Sequence, residues 1–260
     1  MEKNGKMKIN LNNKIVLITG ASGELGRVIA KTCAACGADI GIHYHRNEES
    51  AAKLMRDIHE LGRKAAVFQA DITSVDCINA MKDKVCAALG APQIIINNAV
   101  IQYAPWKSVI EQNLSDYESQ FNSCVMHNVY MAKAFVPEMI KNKYGRVISI
   151  NTECSMQMLA GQSAYVAAKR GMDGMLRVLA REVGQYNITV NQVAPGWTLS
   201  EKHGDVLPEG ADTYASTVPM RRLGTDQDIA NAVAFLASDL ASFITGAYVP
   251  VCGGNVMPCI

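Results

Sequence analysis

Short apolar runs and segments with helical periodicity alternate along almost the whole chain. Runs such as Lys14–Thr19 lack alternation of polar and apolar positions, as expected of strands that are covered on both faces. Strands that alternate with helices are joined by parallel crossovers. The pattern therefore predicts an α/β fold, with a single Rossmann-type doubly wound parallel sheet of about seven strands flanked by helices.

The predicted elements follow one another in regular order. Strands are predicted at Lys14–Thr19, Asp39–Tyr44, Ala65–Ala70, Gln93–Asn97, Arg146–Ile150, Ile188–Val193 and Ala247–Val251. Helices are predicted at Arg27–Cys36, Glu48–Leu61, Val75–Leu89, Asp116–Lys141, Ser163–Tyr186 and Asp226–Ser238. Because no linker rich in Gly, Ser or Pro separates them, we expect residues 1–260 to form one domain. The least patterned stretch, Gly196–Gly224, is expected to be a substrate loop or lid.

The composition narrows the class of protein. Hydrophobic residues make up 49% of the 260 positions and the formal net charge is +1. These values exclude intrinsic disorder and argue against nucleic acid or a membrane as the main partner. The lysine-rich N-terminus lacks the apolar core of a secretory signal, and a chain with this much core does not need its eight cysteines as staples. We therefore expect a cytoplasmic protein with reduced thiols.

The first strand runs into a glycine-rich turn, Thr19–Gly26, that precedes the first helix. Glycines at such a turn let the backbone approach a pyrophosphate, and the helix N-terminus supplies free N–H groups and a positive dipole. A tight turn without a ligand is the structural alternative. The turn contributes four candidate cofactor-binding residues, Gly20, Ser22, Glu24 and Leu25.

The ends of the second and third strands bear on which cofactor is bound. An NAD site usually has an acidic residue after the second strand, but this chain has His45 and Arg46 there. Arg46 can hold a ribose 2′-phosphate through charge-assisted hydrogen bonds, so we expect NADP(H); the alternative is a solvated loop arginine. Asp71, which is followed by Ile72, could accept a hydrogen bond from the adenine amino group or cap the next helix.

Tyr165 and Lys169 lie four positions apart on a predicted helix and so share one face. A neighbouring ammonium favours the phenolate, and we expect it to lower the pKa of Tyr165 below the ordinary value of about 10. Such a tyrosine can give a proton to a carbonyl oxygen while a hydride reaches the carbon. The spacing alone is common, and a surface pair is the alternative.

Together these segments resemble a known family. They are TGASGELG (Thr19–Gly26), Asp71-Ile72, NNA (Asn97–Ala99), YVAAK (Tyr165–Lys169), NQVAPG (Asn191–Gly196) and ITGAYVPVCGG (Ile244–Gly254). In this order and spacing the chain resembles a short-chain dehydrogenase/reductase, nearest in general appearance to the 3-oxoacyl-(acyl-carrier-protein) reductases and glucose-dehydrogenase-like members. The resemblance implies a Rossmann fold, a nicotinamide cofactor and the interconversion of a carbonyl and an alcohol.

The resemblance also implies roles for individual residues. Tyr165 would be the proton donor or acceptor, Lys169 would hold the nicotinamide ribose and lower the tyrosine pKa, and Thr152 would replace the family's substrate-binding serine. A homotetramer is implied, in which the helices Asp116–Lys141 and Ser163–Tyr186 pack against a second subunit. The further cofactor-binding residues implied are Ile72, Asn98, Ala99, Pro195, Gly196 and Thr198.

Glu24 is the first of four departures from the family's pattern, because it replaces a glycine of the phosphate turn. Its carboxylate would either repel a pyrophosphate or point to solvent in the first helical turn, and we favour the second interpretation. Pteridine reductases of the family also replace this glycine, and they resemble the chain again at His43–Arg46, which supports NADPH.

The other departures lie further along the chain. Val100 replaces a glycine beside the cofactor, and Cys252 replaces an acid near the C-terminus. Cys124 stands where the family has an asparagine that holds a water linking the lysine to solvent. Asn128 lies one turn further on the same predicted face, so we include it among the catalytic candidates as a substitute.

Several other residues have weaker signals. The pair Cys33 and Cys36 lies inside a predicted helix, which favours packing over redox activity, and the histidines show no spacing typical of a zinc site, so no metal is expected. Five residues are candidates for a substrate pocket or for ordinary core: Tyr103, Trp106, Met156, Gln157 and Met158. Four residues of the long loop could receive an acidic substrate or be solvated: Lys202, His203, Arg221 and Arg222.

These observations favour an oxidoreductase that transfers a hydride between NADP(H) and a small-molecule carbonyl or secondary alcohol. The alternative is a non-catalytic NADP(H)-binding sensor or assembly protein. Glu24, Val100 and Cys124 favour the alternative slightly. The intact set of Thr152, Tyr165 and Lys169 argues against it, since a binding protein needs no proton donor.

Overall fold

The computed structural model describes residues 8–101, 105–201 and 206–258. The strands are β1 (Ile15–Ile18), β2 (Asp39–Tyr44), β3 (Ala65–Gln69), β4 (Ile94–Asn97), β5 (Gly145–Ile150), β6 (Ile188–Pro195), β7 (Thr198–Leu199), β8 (Gly224–Thr225) and β9 (Tyr248–Val251). The α-helices are α1 (Glu24–Ala35), α2 (Glu48–Glu60), α3 (Val75–Ala88), α4 (Leu114–Phe121), α5 (His127–Asn142), α6 (Cys154–Gln157), α7 (Ser163–Val183), α8 (Ala211–Thr217) and α9 (Asp226–Ala237).

Seven of these strands form one parallel sheet in the order β3-β2-β1-β4-β5-β6-β9, which confirms the predicted α/β fold. The chain moves outward from β1 to β3 and then returns to the other side of β1 at β4. Such a reversal leaves a crevice at the carboxyl ends of the strands, where ligands bind in open α/β sheets. The short strands β7 and β8 pair with each other instead.

Both faces of the sheet are buried, which explains why its strands lack polar–apolar alternation. In β1, Val16 and Ile18 pack on the side of α1, α2 and α9, whereas Leu17 packs on the side of α3, α5 and α7. All three side chains are fully buried. Cys33 lies in the core on the α1 side, where burial raises the pKa of its thiol to about 12, so packing is confirmed for this cysteine.

The predicted helix Asp116–Lys141 is helical over its whole length, but it is not a uniform α-helix. Between α4 and α5, residues Asn122–Met126 form a π-turn in which the N–H of His127 bonds to the carbonyl of Asn122. The side chain of Asn128 donates to the carbonyl of Cys124 at 2.7 Å, which satisfies an acceptor that this wider turn displaces from its usual partner.

Other boundaries differ by smaller amounts. The first helix begins at Glu24 rather than Arg27, and α7 ends at Val183 with a 3₁₀ turn to Tyr186. The stretch Gly196–Gly224 was predicted to lack regular structure, yet it contains β7 and α8. A hydrogen bond from Tyr214 to Glu153 connects α8 to a residue that is distant in sequence.

Candidate active site

A groove of about 1260 Å³ lies at the carboxyl ends of the strands around the reversal between β1 and β4. It extends from the end of β2 to the first turns of α7. The structure brings every sequence-predicted cofactor residue to this groove: Gly20, Ser22, Glu24, Leu25, His45, Arg46, Asp71, Ile72, Asn98, Ala99, Tyr165, Lys169, Pro195, Gly196 and Thr198.

The glycine-rich turn is held close to the strand ends. Gly20 has a φ of +63°, and a Cβ at Gly26 would overlap the carbonyl oxygen of Gly20. Gly23 is the N-cap of α1 and has no side chain with which to cap the helix. A backbone without side chains at a helix N-terminus fits the pyrophosphate of a dinucleotide.

The side chain of His43 holds the glycine-rich turn in place through hydrogen bonds, a role that the sequence did not indicate. Its Nδ1 accepts from the N–H of Gly20 at 2.9 Å, and its Nε2 lies 3.1 Å from the carbonyl of Ala70. These partners require the neutral ring with the proton on Nε2. Burial lowers the pKa of His43 to about 4, which matches the neutral form.

Glu24 occupies the first turn of α1 as predicted, but its carboxylate does not simply point to solvent. It accepts a hydrogen bond from the hydroxyl of Ser200. One turn further, Arg27 forms an ion pair with Glu201 at 2.7 Å. The N-terminal turn of α1 is therefore linked to the segment that follows β7.

The end of the groove near β2 carries the groups expected to meet a nucleoside. Arg46 is exposed there, and the next residue, Asn47, caps α2. Asp71 accepts from the N–H and hydroxyl of Thr73, which holds the pKa of its carboxyl below the usual range. Asp71 does not cap α3, because Ser74 takes that position.

The segment after β4 is tied to the glycine-rich turn. The hydroxyl of Thr19 accepts from the N–H groups of Asn98 at 3.0 Å and Ala99 at 3.1 Å. Asn98 returns two hydrogen bonds, to the carbonyls of Thr19 and Gly20. Val100 follows and lines the groove, so valine is accommodated where the family has glycine.

Thr152, Tyr165 and Lys169 meet at the inner end of the groove. The side chains of Thr152 and Tyr165 are hydrogen-bonded to each other. The Nζ of Lys169 donates to the carbonyl of Ile150 at 2.6 Å and lies 5.7 Å from the centroid of the tyrosine ring. Thr152 follows β5, and Tyr165 and Lys169 occupy one face of α7, so a strand end and a helix position the three groups.

The expected lowering of the tyrosine pKa is not what the structure gives. Burial raises the pKa of Tyr165 above its ordinary value and lowers that of Lys169. The spacing of Tyr165 and Lys169 reveals the neighbouring ammonium but not the loss of solvent around the phenol.

Asn128 does not line the groove, although the sequence made it a catalytic candidate. It is buried, its amide donates to Cys124, and its oxygen accepts from Asn97 at 2.7 Å and Ser149 at 2.6 Å. With these partners it supports the π-turn and the ends of β4 and β5. Its hydrogen bonds go to one backbone carbonyl and two side chains, those of Asn97 and Ser149.

A second cavity, of about 860 Å³, adjoins the first. Thr152 and Tyr165 line both cavities, and so do Val100, Ile101 and Gly196. The other lining residues of the second cavity are mostly apolar or uncharged: Trp106, Gln120, Glu153, Cys154, Gln157, Leu159, Gln162, Trp197 and Tyr214. The cavities therefore meet at the two hydroxyl groups that the sequence predicted to act on a substrate.

Only some of the weaker candidates for substrate binding line the second cavity. Trp106 and Gln157 line the second cavity, whereas neither Met156 nor Met158 does. Tyr103, Lys202 and His203 lie outside the described residues. Arg222 pairs with Asp228 at 2.7 Å and Arg221 donates to the carbonyl of Ser216, and neither arginine lines the second cavity. His127 is buried away from both cavities.

Asn151 and Glu153 flank Thr152, and the sequence analysis missed both. Asn151 accepts from the N–H of Thr152 at 2.8 Å and donates to Gln192 at 2.7 Å and to the carbonyl of Lys169 at 3.3 Å. It therefore joins the end of β5 to α7 and β6. The position of Asn151 and Glu153 beside Thr152 was the only sign in the sequence that they belong to the site. Their roles depend on partners that are distant in sequence.

Within residues 8–101, 105–201 and 206–258, no helix is both long and apolar enough to span a membrane. Among the same residues, no group of His, Cys, Asp and Glu side chains is arranged to hold a metal ion.

A doubly wound parallel sheet, with a groove at its reversal and a Thr–Tyr–Lys set at the inner end, defines a Rossmann-type oxidoreductase. The profile of the family described as Enoyl-(Acyl carrier protein) reductase matches residues 20–255. The chain belongs to the short-chain dehydrogenase/reductase family.

Relatives and solved structures agree with this assignment. The chain is 37% identical to the 3-oxoacyl-(acyl-carrier-protein) reductase FabG of Escherichia coli strain K12, over 96% of this chain and 100% of the relative. It is 33% identical to the reductase of the same name from Staphylococcus epidermidis, over 94% and 100%. The structure of a 7α-hydroxysteroid dehydrogenase, complexed with NADH and 7-oxo glycochenodeoxycholic acid, superposes with a TM-score of 0.89 at 30% identity, covering 96% of this chain and 97% of that one.

Proposed function

We propose that this oxidoreductase uses NADP(H) to interconvert a carbonyl compound and a secondary alcohol. The observation that carries the proposal is the shared wall of the two cavities, where Thr152 and Tyr165 face both the groove and the second chamber. A cofactor in the groove and a substrate in the chamber would then meet at these hydroxyl groups. The similarity to 3-oxoacyl-(acyl-carrier-protein) reductases supports a carbonyl substrate.

The residues of the groove suit a dinucleotide. The uncapped N-terminus of α1 would hold the pyrophosphate, Asp71 would accept from the adenine, and Lys169 would hold the nicotinamide ribose. When bound, the nicotinamide supplies or accepts the hydride. Thr152 would orient the substrate oxygen, and Tyr165 would give that oxygen a proton through the hydroxyl hydrogen-bonded to Thr152.

Lys169 would act as a positive charge close to the tyrosine once water has left the groove. Its ammonium is held by the carbonyl of Ile150, which fixes its position before any ligand enters. Burial raises the pKa of Tyr165, so the phenol is kept in its protonated form, which is the form needed to reduce a carbonyl.

The test is the oxidation of NADPH with a panel of ketones, followed by absorbance. Tyr165→Phe should lower kcat by about 100-fold or more, since it removes the proton donor, while NADPH binding persists. Tyr186→Phe is the matched control, because Tyr186 lies at the end of α7 and lines neither cavity. NADPH binding without turnover on the whole panel would instead favour the non-catalytic alternative.

The preference for NADP(H) rests on Arg46, which lies exposed at the β2 end of the groove. We expect Arg46→Asp to lower the ratio of kcat/KM for NADPH to that for NADH by at least about 10-fold, since charge-assisted bonds to a 2′-phosphate are lost. Arg56→Asp makes the same charge change at an exposed position of α2 outside the groove, and it should leave the ratio unchanged. An unaltered ratio in Arg46→Asp would remove Arg46 from cofactor selection.

The proposal includes a homotetramer in the cytoplasm. Exposed apolar side chains on α4 and α7, namely Leu114, Phe121 and Val178, support contacts with further copies. The described cysteines are free thiols, as expected in a reducing compartment. Light scattering coupled to size exclusion would give the number of subunits, and a monomer would contradict the proposal.

A further inference from the structure

Glu153 is a buried carboxylate directly after Thr152, and the reaction described above does not use it. It is only 3% exposed and lines the second cavity. Burying a charge is costly unless other groups compensate it by hydrogen bonds. The partners of this carboxylate therefore indicate what it does.

Both carboxylate oxygens already accept a hydrogen bond. The hydroxyl of Tyr214, on α8, donates to one at 2.6 Å, and the amide of Asn255 donates to the other at 3.0 Å. The Tyr214 oxygen in turn accepts from the N–H of Trp197 at 2.9 Å. Glu153 thus joins the end of β5 to the substrate loop and to the C-terminal segment.

The packing around this network leaves little freedom. The rings of Trp197 and Tyr214 meet edge to face, with their centroids 5.4 Å apart. A Cβ at Gly196 would lie 2.7 Å from the Tyr214 hydroxyl, so glycine is needed where the loop leaves β6. Trp197 and Tyr214 both line the second cavity, and their position sets the shape of that wall.

We infer that Glu153 is a positioning residue, whose carboxylate holds Tyr214 and, through it, Trp197, so that the wall of the substrate chamber is formed before the substrate binds. Each of its oxygens accepts a hydrogen bond from the protein, and these bonds are the basis for assigning Glu153 a positioning role rather than a catalytic one. The inference deepens the proposed function and rests on it for the kinetic arm of the test.

The kinetic arm compares Glu153→Ala, Glu153→Gln and Tyr214→Phe. Glu153→Ala and Tyr214→Phe should raise the KM of the carbonyl substrate by about 10-fold, with kcat within about 3-fold and the NADPH Kd unchanged. Glu153→Gln should restore KM to within about 3-fold, because its amide oxygen can accept from Tyr214 while Asn255 rotates to accept from its NH₂. Adding Tyr214→Phe to Glu153→Ala should raise KM little further, since both changes break one network.

The second arm needs no turnover, so it remains informative if the proposed function fails. The chain has two tryptophans, Trp106 and Trp197, and Trp106→Phe leaves Trp197 as the only indole. In that background Glu153→Ala should raise the acrylamide quenching constant of Trp197 about 2-fold, whereas Glu153→Gln should not. If Glu153→Ala does not fold, as judged by circular dichroism, Tyr214→Phe takes its place in both arms.

Three results would overturn the inference. One is a Glu153→Ala protein with the KM and the quenching of the parent. Another is a Glu153→Gln protein as impaired as Glu153→Ala, because a charge and not the hydrogen-bond network would then be needed. The last is a rise in KM in Glu153→Ala and Glu153→Gln that is confined to cationic substrates. Glu153 would then bind the charge of the substrate directly.

Discussion

Acid should destabilise this protein through His43, and the structure allows the size of the effect to be calculated. The neutral ring is held by the N–H of Gly20 and the carbonyl of Ala70, and burial lowers its pKa from 6.5 to about 4. The nearby charge of Asp71 favours protonation and that of His45 opposes it, but both act less than burial. Between these pH values only the unfolded state binds the proton, so stability falls as the pH falls from 6.5 towards 4.

The magnitude follows from the two pKa values. Lowering the pH from 7.5 to 5 should cost about 2 kcal/mol through His43, and about 3 kcal/mol once the pH is below 4. His127 adds a similar loss at pH 5, because burial lowers its pKa to about 3. The wild type should therefore lose about 4 kcal/mol of unfolding free energy over this range from the two histidines.

The informative variant is His43→Gln, whose amide can accept from Gly20 and donate to Ala70 without titrating in this range. Urea unfolding at pH 7.5, 6.5, 5.5 and 5.0, at one protein concentration, should show about 2 kcal/mol less loss than in the wild type. His59→Gln is the control, because His59 is exposed at the end of α2, and it should follow the wild type. Equal pH dependence in His43→Gln and wild type would refute the assignment of a neutral buried ring.

Two further predictions concern the glycine-rich turn. Glu24→Gln should lower the NADPH Kd by about 5-fold at low salt, since it removes a charge that costs about 1 kcal/mol near a phosphate, and the gain should shrink as salt screens it; an unchanged Kd at low salt would exclude this repulsion. Gly26→Ala should lower the urea midpoint far more than Gly23→Ala, because a Cβ at Gly26 would lie 2.9 Å from the Asn98 amide and overlap the Gly20 carbonyl, whereas at Gly23 its nearest neighbour is 3.2 Å away. Equal midpoints in the two variants would contradict that packing.

The order of strands and helices was predictable because it depends on short-range patterns. Burial on both faces gives the strands of the main sheet continuous apolar sequences, and the periodic faces of the helices are long enough to be recognised. The π-turn Asn122–Met126 was not predictable in this way, since it inserts one wider turn into a helical pattern. Helix α8 was missed for another reason: Tyr214 anchors it through a hydrogen bond to Glu153, which is 61 positions away.

The residues of the candidate site likewise fall into those that the sequence pattern indicated and those that it did not. Residues at strand ends and on one helix face, such as Arg46, Tyr165 and Lys169, were found because sequence position alone brings them to the groove. His43 and Glu153 were not found, since their roles arise from partners on other elements. The direction of the Tyr165 pKa was wrong because spacing reveals a neighbouring charge but not the loss of solvent.

Glu24 shows how a change at one position of a family motif is absorbed by the rest of the chain. The sequence left two surroundings for its carboxylate, a pyrophosphate or solvent. In the structure it accepts from Ser200, and Arg27 pairs with Glu201 one turn further along α1. Both contacts tie the turn expected to hold the cofactor to the segment that follows β7. We expect a glycine at this position to remove both the repulsion of the cofactor and the contact with Ser200, so that cofactor affinity and the position of this segment change together.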